Sequence, residues 1–169
     1  MLCRKGQGAE AYRRLKAWLE KRRLKLNEEK TKVVDFAKDG LEFLGFRLSW
    51  CKGRSRKNYP HCEPSAKSTQ NLRDAVREET ERDTHWKGPE EVIQRINQRV
   101  RGWAGYFHCG NSTKVFAKMQ WYVEERVRLW LWKKHAKSRG RYAPEYTHQN
   151  LKEKYGLYQM PDYAARWNS

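Results

Sequence analysis

Paired carboxylates are the nearest approach in this sequence to a catalytic pattern. Glu78-Glu79 and Glu124-Glu125 stand among basic residues in stretches of helical periodicity, which favours solvated helix faces. Two-metal catalysis needs carboxylates held a few ångströms apart on rigid elements. The five histidines show no recognisable Ser or Cys partner pattern, and the sequence has no phosphate-cradling Gly loop. These residue types predict a binding protein with no catalytic residue and no metal ligand.

The four cysteines are widely spaced and include no C-x-x-C pair, which structural zinc sites usually show. Without a signal peptide a reducing compartment is expected, and such a compartment favours free thiols. The prediction is therefore four free thiols. A metal site formed by Cys51, His61 and Cys62, with His108 and Cys109 as further ligands, is the alternative.

Basic side chains dominate the composition and indicate a polyanionic partner. The 169 residues include 37 Lys and Arg against 20 Asp and Glu, a net charge of +17, and 13% are aromatic. The net charge is +6 in residues 1–50, +4 in 51–110 and +7 in 111–169, so the basic residues are spread along the chain and are not confined to an appended tail. Nucleic acid is the first interpretation and an anionic membrane surface the second. No apolar run approaches the ~20 residues of a membrane span, and a cytoplasmic, bacterial protein is expected.

Helical periodicity predicts most of the fold. An α+β class, predominantly α-helical, follows from an N-terminal helix, a β-hairpin and then a helical bundle. Apolar spacing and capping residues predict helices at about 9–23, 66–83, 89–107, 113–137 and 150–155.

A β-rich region separates the first helix from the others. Runs at 32–36 and 41–48 flank Asp39-Gly40, and an Asp-Gly pair between such runs is typical of a hairpin turn. Gly45, within the second run, indicates a bulge or the close approach of another backbone or ligand. Residues 51–64, where Gly, Pro and basic residues replace apolar ones, predict a linker.

Basic residues interleaved with aromatics on the last two long helices are the predicted RNA-binding residues. A guanidinium can bind phosphate through two hydrogen bonds and stack on exposed bases, and aromatic neighbours suit single-stranded or looped RNA. A merely solvated charge is the alternative for any one of them. The predicted residues are Arg95, Arg99, Arg101, Arg126, Arg128, Trp132, Lys133, Lys134 and Lys137.

Three segments, in order, resemble a known family. They are L-N-E-E-K-T at 26–31, F-L-G-F at 43–46 and N-Q-R-V-R-G-W-A-G-Y-F at 97–107. The first two are similar to the sixth and seventh conserved blocks of bacterial group II intron-encoded reverse transcriptase/maturases. The third resembles the N-x-x-[IV]-R-G-W-x-x-Y-[FY] signature of the maturase-specific region. The resemblance covers roughly residues 10–135, in the C-terminal half of those enzymes.

The resemblance implies four regions. Residues 1–50 correspond to residual palm, 51–64 to a linker, 65–137 to the thumb and maturase-specific helices, and 138–169 to the C-terminal part of domain X. The family's Tyr-x-Asp-Asp turn would precede this sequence, so its three metal-binding aspartates are missing. Polymerase activity from this chain alone is not expected, and Mg²⁺ is expected only in the full-length polymerase.

The resemblance also assigns roles to individual residues. Lys30 would lie near the incoming nucleotide, although an exposed Lys at the end of a loop is the alternative. Leu44, Gly45 and Phe46 resemble the primer grip. The alternative interpretation is that these residues belong to the hydrophobic core. A Gly there would let a nucleic-acid backbone come close.

The implied function is binding of group II intron RNA to assist its folding and splicing, and gripping of primer and template in the full-length protein. No cofactor is expected for this chain. One alternative is the C-terminal half of a split RNA-directed DNA polymerase, active only with an N-terminal reverse-transcriptase half. Another is an inactive remnant of a mobile element.

Overall fold

The computed structural model describes residues 3, 6–29, 31, 33–36, 38–53, 57–135 and 146–162. The chain divides into two compact units. The N-terminal unit comprises Met1–Leu41 and Leu48–Pro60, and the helical unit comprises Glu42–Arg47 and His61–Ser169. Lys30 and Lys137, two of the predicted site residues, lie outside the described residues.

The α+β, predominantly helical class is confirmed. Three strands, adjacent in chain order, form an antiparallel sheet. The strands are β1 Leu41–Phe43, β2 Phe46–Lys52 and β3 Asn58–Pro64. The α-helices are α1 Gly8–Glu20, α2 Ala66–Glu79, α3 Pro89–Phe107, α4 Thr113–His135 and α5 His148–Glu153, with a 3₁₀ turn at Arg82–Thr84 between α2 and α3.

The hairpin differs from the predicted one. The described residues 33–36 form no strand, and the run 41–48 is divided by a turn at Leu44-Gly45. Both turn residues have positive φ, +49° and +81°, as a two-residue turn matched to the twist of its strands requires. The prediction that Asp39-Gly40 forms the hairpin turn is therefore wrong. Gly40 does have a left-handed backbone, with a φ of +56°, but the described residues before it form no strand that could pair with β1.

Part of the predicted linker is a strand. Residues 58–64 form β3 although they include Pro60 and Pro64. Proline lacks the N–H that a central strand must donate, and β3 is an edge strand of the sheet, where proline is tolerated.

In the N-terminal unit, α1 has no buried residue. Its contacts to the rest of the unit include an exposed ion pair between Lys16 and Glu28 at 2.8 Å. Elsewhere in the unit Phe36 packs edge-on against Trp50, with 5.8 Å between ring centroids. Exposed ion pairs contribute little to stability, so the Lys16–Glu28 pair adds little to the stability of this unit.

The core lies in the helical unit, where α2, α3, α4 and α5 pack together. The Ser65 and Thr147 side chains cap α2 and α5, and Pro89 occupies the first turn of α3. The predicted apolar stripes are confirmed on both long helices. The buried stripe residues are Val92, Ile93, Ile96, Val100, Ala104 and Phe107 of α3, and Phe116, Met119, Val123, Val127, Trp130 and Leu131 of α4.

None of the helices within the described residues is both long and apolar enough to cross a membrane.

Candidate nucleic-acid interface

The Leu44-Gly45 turn packs against the helical core. The Gly45 carbonyl accepts hydrogen bonds from the Ser65 N–H at 2.7 Å and the Ser68 hydroxyl at 2.9 Å. A Cβ atom at Gly45 would come within 2.7 Å of Ser68 Oγ and 3.2 Å of a Phe107 ring carbon. The close approach expected at this Gly is thus made by the protein's own helices.

The F-L-G-F and R-G-W-A-G-Y-F motifs meet in this contact. The Phe46 ring lies 4.7 Å from that of Phe107 and 5.5 Å from that of Tyr106, between centroids. The Tyr106 hydroxyl donates to the Leu44 carbonyl at 3.1 Å. Phe46 therefore packs partly into the core, whereas the Leu44 side chain is 67% exposed.

The arginines predicted on α3 differ in how firmly the protein holds them. Arg95 pairs with Glu91 one turn away, at 2.9 Å on the exposed surface. Arg99 donates to Glu79, a buried carboxylate, at 3.1 Å. The Arg101 guanidinium lies 5.2 Å from the centroid of the Tyr158 ring. An exposed one-turn pair is worth only about 0.3–0.5 kcal/mol, so Arg95 can exchange its partner for a phosphate.

The C-terminal half of α4 uses two of its predicted cations inside the protein. The Arg126 guanidinium donates to Thr80 Oγ1 at 2.8 and 3.0 Å and to the Thr80 carbonyl at 3.2 Å. Lys134 Nζ donates to the carbonyls of His85 and Lys87. These bonds satisfy backbone carbonyls at the end of α2 and in the turn that follows it.

The remaining predicted residues of α4 are a mixed group. Arg128 forms a two-bond ion pair with Glu125, at 2.7 and 3.0 Å. Trp132 is half-buried and packs against the core, and Lys133 is exposed. Among the predicted cations of this half that the structure describes, Lys133 is therefore the one that faces solvent without an ion pair or a bond to a carbonyl.

A different surface on α4 was not predicted. Lys114, Lys118 and Trp121 lie at i, i+4 and i+7, opposite the buried stripe, and we refer to them as the outer face of α4. Trp121 is 62% exposed, and neither lysine pairs with a carboxylate in the part of the chain that the structure describes. The spacing of these residues relative to Phe116, Met119 and Val123 contains the signal that would have revealed them.

The same helical geometry explains why the predicted cations turn inward. Arg126 follows Val123 by three residues and precedes Trp130 by four, and Lys134 follows Trp130 by four. These separations place both cations near the buried stripe.

The cysteines form no disulfide. Cys62 and Cys109 hydrogen-bond through their side chains, and burial raises the pKa of both thiols above the usual range. Within the described residues, no group of three or more His, Cys, Asp or Glu side chains could hold a metal ion. His61 instead lies 3.3 Å from the carboxylate of Glu63.

A helical core with exposed aromatic and basic residues is typical of a nucleic-acid-binding domain. Residues 69–147 match the family described as group II intron, maturase-specific domain, a region that includes most of α2 and all of α3 and α4. Residues 69–147 are therefore similar to a group II intron maturase-specific domain, which confirms the family resemblance over this part of the chain and supports a maturase role in splicing. A comparison with curated proteins found no match.

Proposed function

We propose that the chain binds group II intron RNA and helps it reach its splicing-competent fold, with the outer face of α4 as a principal contact surface. The observation that carries the proposal is an exposed Trp121 beside two lysines without carboxylate partners among the described residues, on a helix of the maturase-specific domain. Assistance in folding needs no catalytic side chain. It needs a surface with greater affinity for the native RNA than for its misfolded forms.

The chemistry of the outer face suits looped or single-stranded RNA. Lys114 and Lys118 can each neutralise a phosphate and release its counterions. Trp121 can stack on an unpaired base, a contact worth about 1–3 kcal/mol. The exposed indole would then bury apolar surface that the protein itself leaves in water.

The exposed side of α3 offers a second contact. Apart from the neighbouring residues and backbone of their own helix, Gly102 and Gly105 have no described atom within 4 Å of a Cβ placed on either, so packing among the described residues does not require glycine there. Each costs a helix about 1 kcal/mol relative to Ala. A helix surface without side chains lets an RNA backbone approach closely, and Arg95 and Arg101 lie on the same helix to meet its phosphates.

The test compares affinity for intron RNA with affinity for an unrelated RNA of equal length, at physiological salt. We expect tighter binding of the intron RNA, and a loss of about tenfold in Trp121→Ala, equivalent to one stacked base. Trp121→Phe should retain most of the affinity, and Lys152→Gln, at an exposed position of α5, is the surface control. Equal affinity for the two RNAs would contradict the maturase role, and unchanged affinity in Trp121→Ala would exclude the outer face.

We also propose a contact with primer and template in an enzyme that includes a reverse-transcriptase half. The observation that favours it is Leu44, whose side chain is exposed although its backbone has a φ of +49°. A non-glycine residue in this region is strained by about 1–2 kcal/mol, and such strain is frequent at ligand contacts. Phe43 beside it is also exposed.

Primer extension tests this second proposal. The chain is combined with an N-terminal reverse-transcriptase half and Mg²⁺, and we expect extension that Leu44→Ala reduces. Absence of extension from the combined halves, or full extension by Leu44→Ala, would contradict the contact.

A further inference from the structure

The turn between α2 and α3 is fixed to the C-terminal half of α4. Trp130 Nε1 donates to Thr84 Oγ1 at 2.9 Å, and both side chains are buried. Lys134 Nζ donates to two carbonyls of the same turn, those of His85 and Lys87. The turn is therefore a positioned structure rather than a loose connection.

An exposed tryptophan projects from this fixed turn. Trp86 is 78% exposed, the largest exposure of any large apolar side chain among the described residues. Lys87 Nζ lies 5.7 Å from the centroid of its ring and 3.8 Å from the carboxylate of Glu79. An indole in water beside a cation is the arrangement on which nucleic-acid bases stack.

Three cations, Arg82, Lys133 and Lys134, lie close enough to His85 for their charges to act on it. Arg82 and Lys133 are both exposed, and neither pairs with a carboxylate of the described chain. Glu79 is held by Arg99 and Lys87, and Glu81 pairs with Arg77. The remaining carboxylate of the turn is Asp83, which is exposed.

The protonation of His85 depends on the positive charges near the turn. Its ring packs against Trp130 with 5.7 Å between centroids. Partial burial lowers the pKa of His85 below its usual value, and the charges of Lys134, Lys133 and Arg82 lower it further. An anion bound near His85 and these cations would offset their positive charges and favour protonated His85.

We propose that this turn is a nucleotide subsite, in which Trp86 stacks on an unpaired RNA base while Arg82, His85 and Lys133 receive the adjoining phosphate. This inference rests on the proposed RNA-binding function and names a second contact, separate from the outer face of α4. The bound phosphate raises the pKa of His85. By linkage, affinity for RNA increases as the pH falls and His85 becomes protonated.

The test follows the imidazole signal of His85 by NMR in the full chain, with and without a single-stranded uridine hexanucleotide. His85→Asn identifies the signal among the five histidines. We expect the hexanucleotide to shift the titration of His85 to higher pH. Trp86→Ala should bind the hexanucleotide about tenfold more weakly, in line with the loss of one stacked base. Because the Trp86 side chain is exposed, its removal should leave the fold intact.

Matched variants separate this subsite from the proposed function. Lys114→Gln with Lys118→Gln should leave the His85 titration shift in place, whereas Arg82→Gln with Lys133→Gln should abolish it. The subsite is overturned if the hexanucleotide binds but neither shifts His85 nor responds to Trp86→Ala. The proposed function is tested separately and fails if the chain binds intron RNA and unrelated RNA with equal affinity. That comparison does not use the hexanucleotide.

Discussion

The two halves of α4 contain similar residues and use them differently. In the N-terminal half, Lys114, Lys118 and Trp121 face solvent. In the C-terminal half, Arg126 and Lys134 donate hydrogen bonds to backbone carbonyls of the α2–α3 region. A basic, aromatic composition therefore does not by itself identify an RNA-binding face, because the protein can satisfy its own carbonyls with the same cations.

The largest expected difference concerns the tryptophans of the two halves. Trp130→Ala should lower the free energy of unfolding by about 4 kcal/mol, because it removes a fully buried ring and its bond to Thr84. Trp121→Ala should change it by less than about 0.5 kcal/mol, as expected for an exposed position. Urea denaturation measures both. If Trp130→Ala does not fold, Trp130→Phe should lose about half as much free energy of unfolding. Equal losses in the variants at Trp121 and Trp130 would contradict the difference between the two halves of α4.

A smaller difference is expected between the cations. Arg126→Gln should lower the free energy of unfolding by about 2 kcal/mol, since charge-assisted hydrogen bonds to Thr80 are lost at a partly buried site. Lys118→Gln and Arg128→Gln should each cost less than about 0.5 kcal/mol. Chemical denaturation measures the free energy of unfolding of all three variants. A negligible loss in Arg126→Gln would show that the hydrogen bonds of Arg126 contribute nothing to stability.

The smallest expected effect has the opposite sign. Gly102→Ala should raise the free energy of unfolding by up to about 1 kcal/mol, because the helix gains a better helix former in open space. Gly45→Ala is the contrasting variant and should destabilise, since its Cβ would meet Ser68 and its φ is positive. Thermal melting of the two variants tests this, and a destabilised Gly102→Ala would mean that the protein itself requires this glycine.

Sequence reasoning predicted the helical core but not the side on which each cation lies. The stripe from Val92 to Phe107 was readable because buried apolar residues repeat with the period of the helix. The turn at Leu44-Gly45 was missed because a non-glycine residue at positive φ is not expected from propensity. The partners of Arg126 and Lys134 lie 46 to 49 residues away, and long-range pairings of this kind are not encoded in local spacing.

The salt dependence of RNA binding tests the contrast between the two halves most directly. The slope of log affinity against log salt is measured for the wild type, for Lys114→Gln with Lys118→Gln, and for Arg126→Gln after its fold has been checked by circular dichroism. If each lysine of the outer face neutralises one phosphate on single-stranded RNA, the double variant should reduce the magnitude of the slope by about 1.4. Arg126→Gln should leave it unchanged. An unchanged slope in the double variant, together with a reduced slope in Arg126→Gln, would contradict the account.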